Sequence, residues 1–314
     1  MNRFIGFVLL LLCTGLTSIA QEITVATFNA EFLNKYRIQA RYGVSFDLSE
    51  EPQDVQNFWK DETNRDAKLK EASDDVAELI KQMNADIMTL TEVGNADDIE
   101  VLKASLSAIG VDYEFSAVCE CTDSFTGQHV AVLSKYPLKE IWPQITGRSL
   151  YLEETDGDSE RETGISKGLK VTVTIEDQDI DVFVLHFKSE RGGFTSDAQR
   201  LAQASIARRA VIQQMNKGRK VIVAGDLNDQ KGTATMYRLR GFDDIYEEMI
   251  QTGHSQYFEN MDVRWTYNYK GEPEQIDHIL VSPGLTDRKG IKTSIIKSES
   301  VSDHNPVIVK LILK

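Results

Sequence analysis

The sequence predicts an α+β fold of four layers, with two β-sheets packed face to face and helices on both outer faces (an α/β/β/α sandwich). Two observations carry this expectation. Short apolar or alternating runs with strand character recur along the chain, and they come in groups interrupted by only a few segments of helical period. No repeat, proline-rich linker or low-complexity stretch divides the chain, so residues 21–314 are expected to form one domain.

The elements follow in order. Glu22-Ile-Thr-Val-Ala-Thr-Phe-Asn29 alternates as a strand does. Residues 34–64 are polar and irregular, with scattered Tyr36, Tyr42, Phe46, Phe58 and Trp59, and read as an ordered surface insertion. From Asp66 to Met83, Leu69, Ala72, Val76, Leu79, Ile80 and Met83 recur at helical spacing and give one apolar face. A buried strand follows at Asp86–Glu92, then a helix at Ala96–Ile109. Val130–Ser134 and Leu138–Trp142 read as a strand pair broken at Tyr136-Pro137, and the acidic stretch Thr155–Thr163 reads as a mobile loop. Leu169–Ile175 and Ile180–Phe187 look like hairpin partners. Ser196–Met215 is a helix opened by the capping run Thr195-Ser196-Asp197. Lys220–Gly225, Gln275–Val281 and Pro306–Leu313 complete the strands.

The first twenty residues read as an export signal: Asn2-Arg3, an apolar run from Phe4 to Leu12, then Ser18-Ile19-Ala20 as a small-x-small cleavage site before Gln21. The expected location is therefore secreted or periplasmic. The apolar run is short for a membrane span, and nothing later resembles one. Cys13 follows Leu12, which suits lipid attachment poorly. Cys119 and Cys121 are left to form either a very tight local disulfide or free thiols, and two thiols without a nearby histidine are too few for zinc. A formal net charge of −14 argues against a charge-driven nucleic-acid binder. It leaves room for an enzyme that meets phosphates through a bound cation.

Polar residues stand at the ends of hydrophobic strands in five places: Thr27-Phe28-Asn29, Leu90-Thr91-Glu92-Val93, Leu185-His186-Phe187-Lys188-Ser189, Gly225-Asp226-Leu227-Asn228-Asp229, and Ile276-Asp277-His278 with Ser302-Asp303-His304-Asn305-Pro306. Strand ends are rigid places to mount a site. One such patch alone is more often a turn or a paired structural group.

Together and in this order, they resemble the endonuclease/exonuclease/phosphatase superfamily of DNase-like proteins, from Ile23 to Leu313. Gly-Asp-Leu-Asn-Asp and Ser-Asp-His-Asn-Pro are the most specific pieces. The resemblance implies the four-layer sandwich and a metal-dependent hydrolase of phosphoric esters. It implies Glu92, Asn29 and Asp303 as oxygen ligands for Mg²⁺ or Mn²⁺. A phosphate ester is anionic, so its hydrolysis needs a cation on the nonbridging oxygens and a base for the attacking water. By resemblance, Asp226 orients or deprotonates that water and Asn228 donates to a phosphoryl oxygen. Asp277 partners His304, which serves as base or as charged phosphate clamp. His186 contacts the phosphate or protonates the leaving oxygen, and places the chain with deoxyribonucleases, sphingomyelinases and phosphatases.

His278 alternates to the other face of its strand and reads as structural. His129 and His254 receive no role. Arg191 is either a substrate contact or a solvated loop arginine. Arg264-Trp-Thr-Tyr267 resembles secreted bacterial nucleases, so Trp265 and Tyr267 either stack on bases or pack the sandwich edge. A nucleic-acid phosphodiester is the expected substrate, with small phosphate esters or lipid head groups as the alternative. No stable protein partner is implied. A non-catalytic binding protein on this fold would be expected to lose a metal or histidine position, and none is lost here.

Overall fold

The computed structural model describes residues 21–153, 159–242, 244–253 and 264–314. The expected export signal, Cys13, His254 and positions 155–158 of the acidic stretch lie outside the described residues. In chain order the strands are β1 (Glu22–Leu33), β2 (Ile87–Val93), β3 (Phe115–Val118), β4 (His129–Ser134), β5 (Leu138–Trp142), β6 (Ser149–Glu153), β7 (Ser159–Thr163), β8 (Gly168–Ile175), β9 (Gln178–His186), β10 (Lys220–Asp226), β11 (Ile250–Gln251), β12 (Tyr267–Tyr269), β13 (Glu272–Glu274), β14 (Asp277–Val281), β15 (Ile291–Ile295) and β16 (Val307–Ile312). The helices are α1 (Ile38–Arg41), α2 (Gln53–Lys60), α3 (Glu62–Met83), α4 (Ala96–Ala108), α5 (Gly193–Met215) and α6 (Ala234–Arg240).

Two six-stranded sheets run in the orders β15-β16-β1-β2-β4-β3 and β11-β14-β10-β9-β8-β5. Each contains one parallel pair, β1 with β2 and β9 with β10. Parallel neighbours need a crossover. Helices α1 to α3 supply the first and α5 the second, and each lands on the outer face of its own sheet.

The layers follow from the two-residue period of the strands. On β1, Ile23 and Val25 face the other sheet, whereas Ala26, Phe28 and Ala30 face α3 and α4. On β9, Ile180, Val182 and Val184 face inward, whereas Phe183 and Leu185 pack under α5 and α6. Three apolar clusters among the described residues thus correspond to the three interfaces of a four-layer stack, as expected. Asp61 caps α3 through the Thr63 amide, and left-handed Asn84 ends it.

Several local expectations change. The 34–64 insertion contains α1 and α2, buries Ile38 and Trp59 against the first sheet's helical layer, and runs into α3, which begins at Glu62. Strands β4 and β5 are not partners: Tyr136-Pro137 carries the chain from one sheet to the other. Ser159–Thr163 is a strand paired with Ser149–Glu153, so this part of the acidic stretch is a hairpin arm. Helix α5 begins at Gly193 without a side-chain cap, and the Ser196 hydroxyl instead donates to the Arg191 carbonyl. Cys119 and Cys121 form a disulfide. A histidine does lie beside them, because β3 pairs with β4 and brings in His129.

Candidate active site

The polar residues of the site begin where the inward-facing apolar rows run out. Inward positions read Ile23, Val25, Thr27, Asn29 on β1 and Ile180, Val182, Val184, His186 on β9. On β10 they read Ile222, Ala224, Asp226. Antiparallel β14 enters the same end with Asp277 ahead of Ile279 and Val281. The site therefore straddles the seam: Asn29, Glu92, Asp303 and His304 come from the first sheet and its loops, and His186, Asp226, Asn228 and Asp277 from the second.

Backbone strain aims several of these groups. Glu31, Phe32, Glu92 and Asn228 all have positive φ, between 44° and 57°. Left-handed backbone in residues other than glycine costs roughly 1–3 kcal/mol each and persists where surroundings impose it. At Glu92 the pairing of β2 with both neighbours shifts register, which turns an outward residue toward the seam. Gly225 is required for a different reason: with φ +137°, a Cβ there would stand 2.0 Å from the Leu185 carbonyl oxygen on β9.

His304 Nδ1 lies 2.8 Å from Asp277 Oδ2, both side chains buried. With Nδ1–H donated to that carboxylate, Nε2 faces the seam, 3.5 Å from Asn29 Nδ2 and 3.9 Å from Asp226 Oδ2. Asn29 Nδ2 donates to Asp226 Oδ2 at 2.9 Å, and Asn29 Oδ1 accepts from the Glu31 amide at 3.0 Å, so this carboxamide bridges the two sheets. Asp226 Oδ1 accepts from the Asn228 amide at 2.9 Å, while Asn228 Nδ2 donates to the Phe187 carbonyl at 3.1 Å. His186 Nε2 lies 3.8 Å from Asp226 and 3.9 Å from Glu92.

The charges separate the roles. Burial opposes a charged His304, but the Asp277, Asp226 and Asp303 carboxylates outweigh it and push its pKa up to about 10. Burial, reinforced by Asp277, pushes Asp226 up to about 7. Burial, with the nearby Lys167 and His304 charges, holds His186 well below the ordinary histidine value. The site thus pairs a protonated His304 with a neutral His186 around a carboxylate that titrates near neutrality.

The donor set fits the expected divalent ion. Burial first, then Asp303 and Glu92, push the Glu31 carboxyl up to about 7, even with Arg41 opposing. Burial and Asp303 likewise raise Glu92, against Lys167 and His304. Two raised carboxyls, Glu31 and Glu92, beside the Asp303 carboxylate suit a hard cation, which takes oxygen ligands. Glu92 would hold it, within 4.8 Å of ligand atoms of His186 and Asp226, and Glu31, Asp303 and the Asn29 oxygen are the further candidates on the first sheet's side.

Glu31 was not among the sequence candidates. Its backbone is left-handed, and the pairing of β1 with β2 shifts register between Asn29 and Leu33, so strand alternation does not mark it. The insertion also reaches the site: Arg41 donates to the carbonyls of Ala30, Glu31 and Val301, tying β1 to the loop before His304. Lys167 is a second unforeseen residue, buried, bonded to Gln128 Oε1 at 3.0 Å and electrostatically coupled to Glu92 and His186. His278 turns away, as expected, to Gln251 and the Asp229 carbonyl. Tyr267 stacks on His304, with Arg191 near it and exposed at the rim. Lys297 covers one face of Trp265, 3.7 Å from the ring centre.

A sandwich with this constellation defines a metal-dependent hydrolase of phosphoric esters, of phosphodiesterase or nuclease type. The profile of the endonuclease/exonuclease/phosphatase family matches residues 26–304, and the chain belongs to that family. No curated protein matches the sequence. Among solved structures, an endonuclease/exonuclease/phosphatase from Bacteroides vulgatus is similar at TM-score 0.58 and 18% identity, covering 94% of this chain and 100% of that one. Truncated Caenorhabditis elegans TDP2 is similar at TM-score 0.56 and 14% identity, covering 93% and 97%. A beta toxin mutant from Staphylococcus aureus with bound magnesium ions is similar at TM-score 0.52 and 15% identity, covering 92% and 99%.

Proposed function

We propose that this chain is an exported, Mg²⁺- or Mn²⁺-dependent phosphodiesterase that cleaves nucleic-acid phosphodiester bonds. The observation that carries the reading is the buried Asp277–His304 pair facing the Asn29–Asp226 pair across the seam, beside the Glu31, Glu92 and Asp303 carboxyls. When bound, the cation would neutralise the phosphate oxygens. Asp226, with a pKa near the working pH, is suited to take a proton from the attacking water. Protonated His304, held by Asp277, offers positive charge and a hydrogen bond where negative charge grows on the phosphoryl group. Neutral His186 can donate one N–H to an oxygen of the substrate but has no proton to surrender as an imidazolium. Asn228 retains a second amide hydrogen beyond the one given to Phe187.

The magnesium bound by the beta toxin mutant supports Mg²⁺ among the candidate ions. The N-terminal signal-like segment supports export, and no helix among the described residues is long and apolar enough to cross a membrane. One observation favours lipid head groups instead: Leu150 and Leu152 are exposed on β6. The facing arm carries Glu160 and Glu162, which suits an anionic bilayer poorly. A parallel assay of the mature protein decides: plasmid DNA, RNA, bis-p-nitrophenyl phosphate, p-nitrophenyl phosphate and sphingomyelin, each with Mg²⁺ and with Mn²⁺. Hydrolysis of sphingomyelin or the monoester without cleavage of either nucleic acid would overturn the nuclease reading.

A further inference from the structure

We propose that Tyr36, Phe46 and Phe125 form a stacking platform for an unpaired nucleobase of a single-stranded substrate, continuous with the reaction centre. This inference rests on the nuclease reading above. The platform begins at the catalytic carboxylates: the Phe32 amide donates to Glu92 Oε2 at 3.3 Å. Phe32, left-handed like Glu31, meets Phe46 edge-on at 5.3 Å, and Phe46 meets Phe125 edge-on at 5.6 Å. The Arg37 guanidinium lies 4.6 Å from the Tyr36 ring centre and 5.4 Å from that of Phe46. Beside Tyr36 and Arg37 opens a cleft of about 720 Å³, lined further by Asn34, Trp59, Asp97, Asp98 and His129. That is the size of a small-molecule site.

Two of the rings are held in water by rigid backbone. Tyr36 is 60% and Phe125 66% exposed. The Phe125 loop is pinned by Asp123, which accepts from the amides of Phe125 and Thr126 and from the Thr126 hydroxyl. Arg37 joins that loop to the insertion through the carbonyls of Phe125 and Phe46. Gly127, with φ +63°, makes room for Tyr36: a Cβ there would stand 2.7 Å from the ring. Large exposed apolar rings on ordered backbone mark a binding surface.

The occupant follows from chemistry and charge. A chain of net charge −14 offers phosphates little general attraction, so affinity must come from the bound cation and from neutral contacts. Bases supply such contacts, because each has a face that stacks on an aromatic ring and attracts a guanidinium. In a duplex those faces are covered by stacking on the neighbouring base pairs, so the platform fits unpaired strands. The 34–64 insertion thereby acquires a task, carrying Tyr36, Arg37 and Phe46 to the edge of the site.

Equilibrium binding tests this in the His304→Ala full chain with Mg²⁺, where turnover is slowed by roughly 10² to 10⁴. The probes are a labelled single-stranded oligonucleotide and one of equal length built from abasic units. The base-bearing probe should bind roughly 10- to 100-fold more tightly, since stacking contributes about 1–3 kcal/mol per base. Adding Tyr36→Ala and Phe125→Ala should erase that preference, and Phe125→Trp should keep it. Gly127→Ala, which displaces Tyr36 without removing a ring, should reduce it. Equal binding of the two probes, or a preference unchanged in the double alanine variant with its fold intact by circular dichroism, overturns the platform. Failure of the nuclease reading looks different: no cleavage of DNA or RNA by the unmodified enzyme.

Discussion

The ring of Tyr267 lies against the imidazole of His304, with centroids 4.7 Å apart and planes inclined by 29°. A backbone bridge joins the same two residues, and the Thr266 hydroxyl accepts from the Asp277 amide. One short segment therefore positions both members of the His304–Asp277 pair. Tyr267→Ala should lower kcat at least tenfold, a loss of about 1.4 kcal/mol from the transition state. Tyr267→Phe, which keeps the stacked ring, should retain most of the rate. Equal damage by both variants would assign the effect to the hydroxyl.

Replacing His304 or His186 with alanine should lower kcat by roughly 10² to 10⁴, the range for a positioned proton-transfer or charge-stabilising group. Asp277→Asn should lower the rate and move the pH optimum. The double variant Asp277→Asn/His304→Ala should be little worse than His304→Ala alone, because the two act as a unit. Steady-state rates on bis-p-nitrophenyl phosphate check this, and an additive double variant would separate the pair.

Chelation should abolish turnover, and the cation's effect on stability should depend on pH. In the metal-free protein, Asp226 and Glu31 titrate near 7, above their ordinary values of 3.8 and 4.5. A raised carboxyl pKa means that the unfolded chain loses its proton first. These groups therefore subtract stability as pH rises from about 4 to 7. His304 acts in the same direction over a higher range: its contribution is complete below 6.5 and is lost as pH rises through about 10. Since cation and proton compete for Glu31 and Glu92, Mg²⁺ should raise Tm more at about pH 8 than at about pH 5. Thermal melts with and without EDTA give the comparison. Glu92→Gln and Glu31→Gln should each raise the Mg²⁺ concentration needed for half-maximal activity.

His278→Ala should lose about 1–3 kcal/mol of stability, because it leaves Gln251 and the Asp229 carbonyl unpaired in the core. Its kcat on small esters should stay within a few-fold of the parent. Urea melts beside rate assays separate the two effects.

The Cys119–Cys121 bridge closes a loop of minimal length, so it removes little entropy from the unfolded chain. The double serine variant should turn over bis-p-nitrophenyl phosphate at a near-normal rate and lose only a few degrees of Tm. A large loss of rate in a folded variant would give this bridge a part in shaping the site.

Much of the architecture was legible because Asn29, His186 and Asp226 each end an apolar row whose period already names the strand. Asn29, His186 and Asp226 could be placed on one face by counting back in twos to Val25, Val184 and Ala224. What escaped was whatever the period does not encode. Strand β5 lies beside β8 rather than β4, a matter of sheet partnership. Glu31 sits past the irregularity of β1, and Lys167 approaches the site from a loop. Lys170 and Asp181 are charged, yet both are fully buried as an ion pair 2.9 Å apart, with the Lys170 ammonium also 4.9 Å from the Trp142 ring centre. Alternation alone marks such positions as solvent-facing, and only the packed layers show that the partners meet.

Because the site is split along the seam between the two sheets, it exists only while they are held in one alignment. Asn29 hangs from one sheet and its partner Asp226 from the other, and the contact between them spans 2.9 Å. A slip of one sheet over the other by about the length of a bond would part them, with every helix and strand still formed. Catalysis is thus the most sensitive gauge of the molecule's alignment. Under gentle denaturation, turnover should fade ahead of the circular dichroism signal, which reports secondary structure that either sheet keeps by itself.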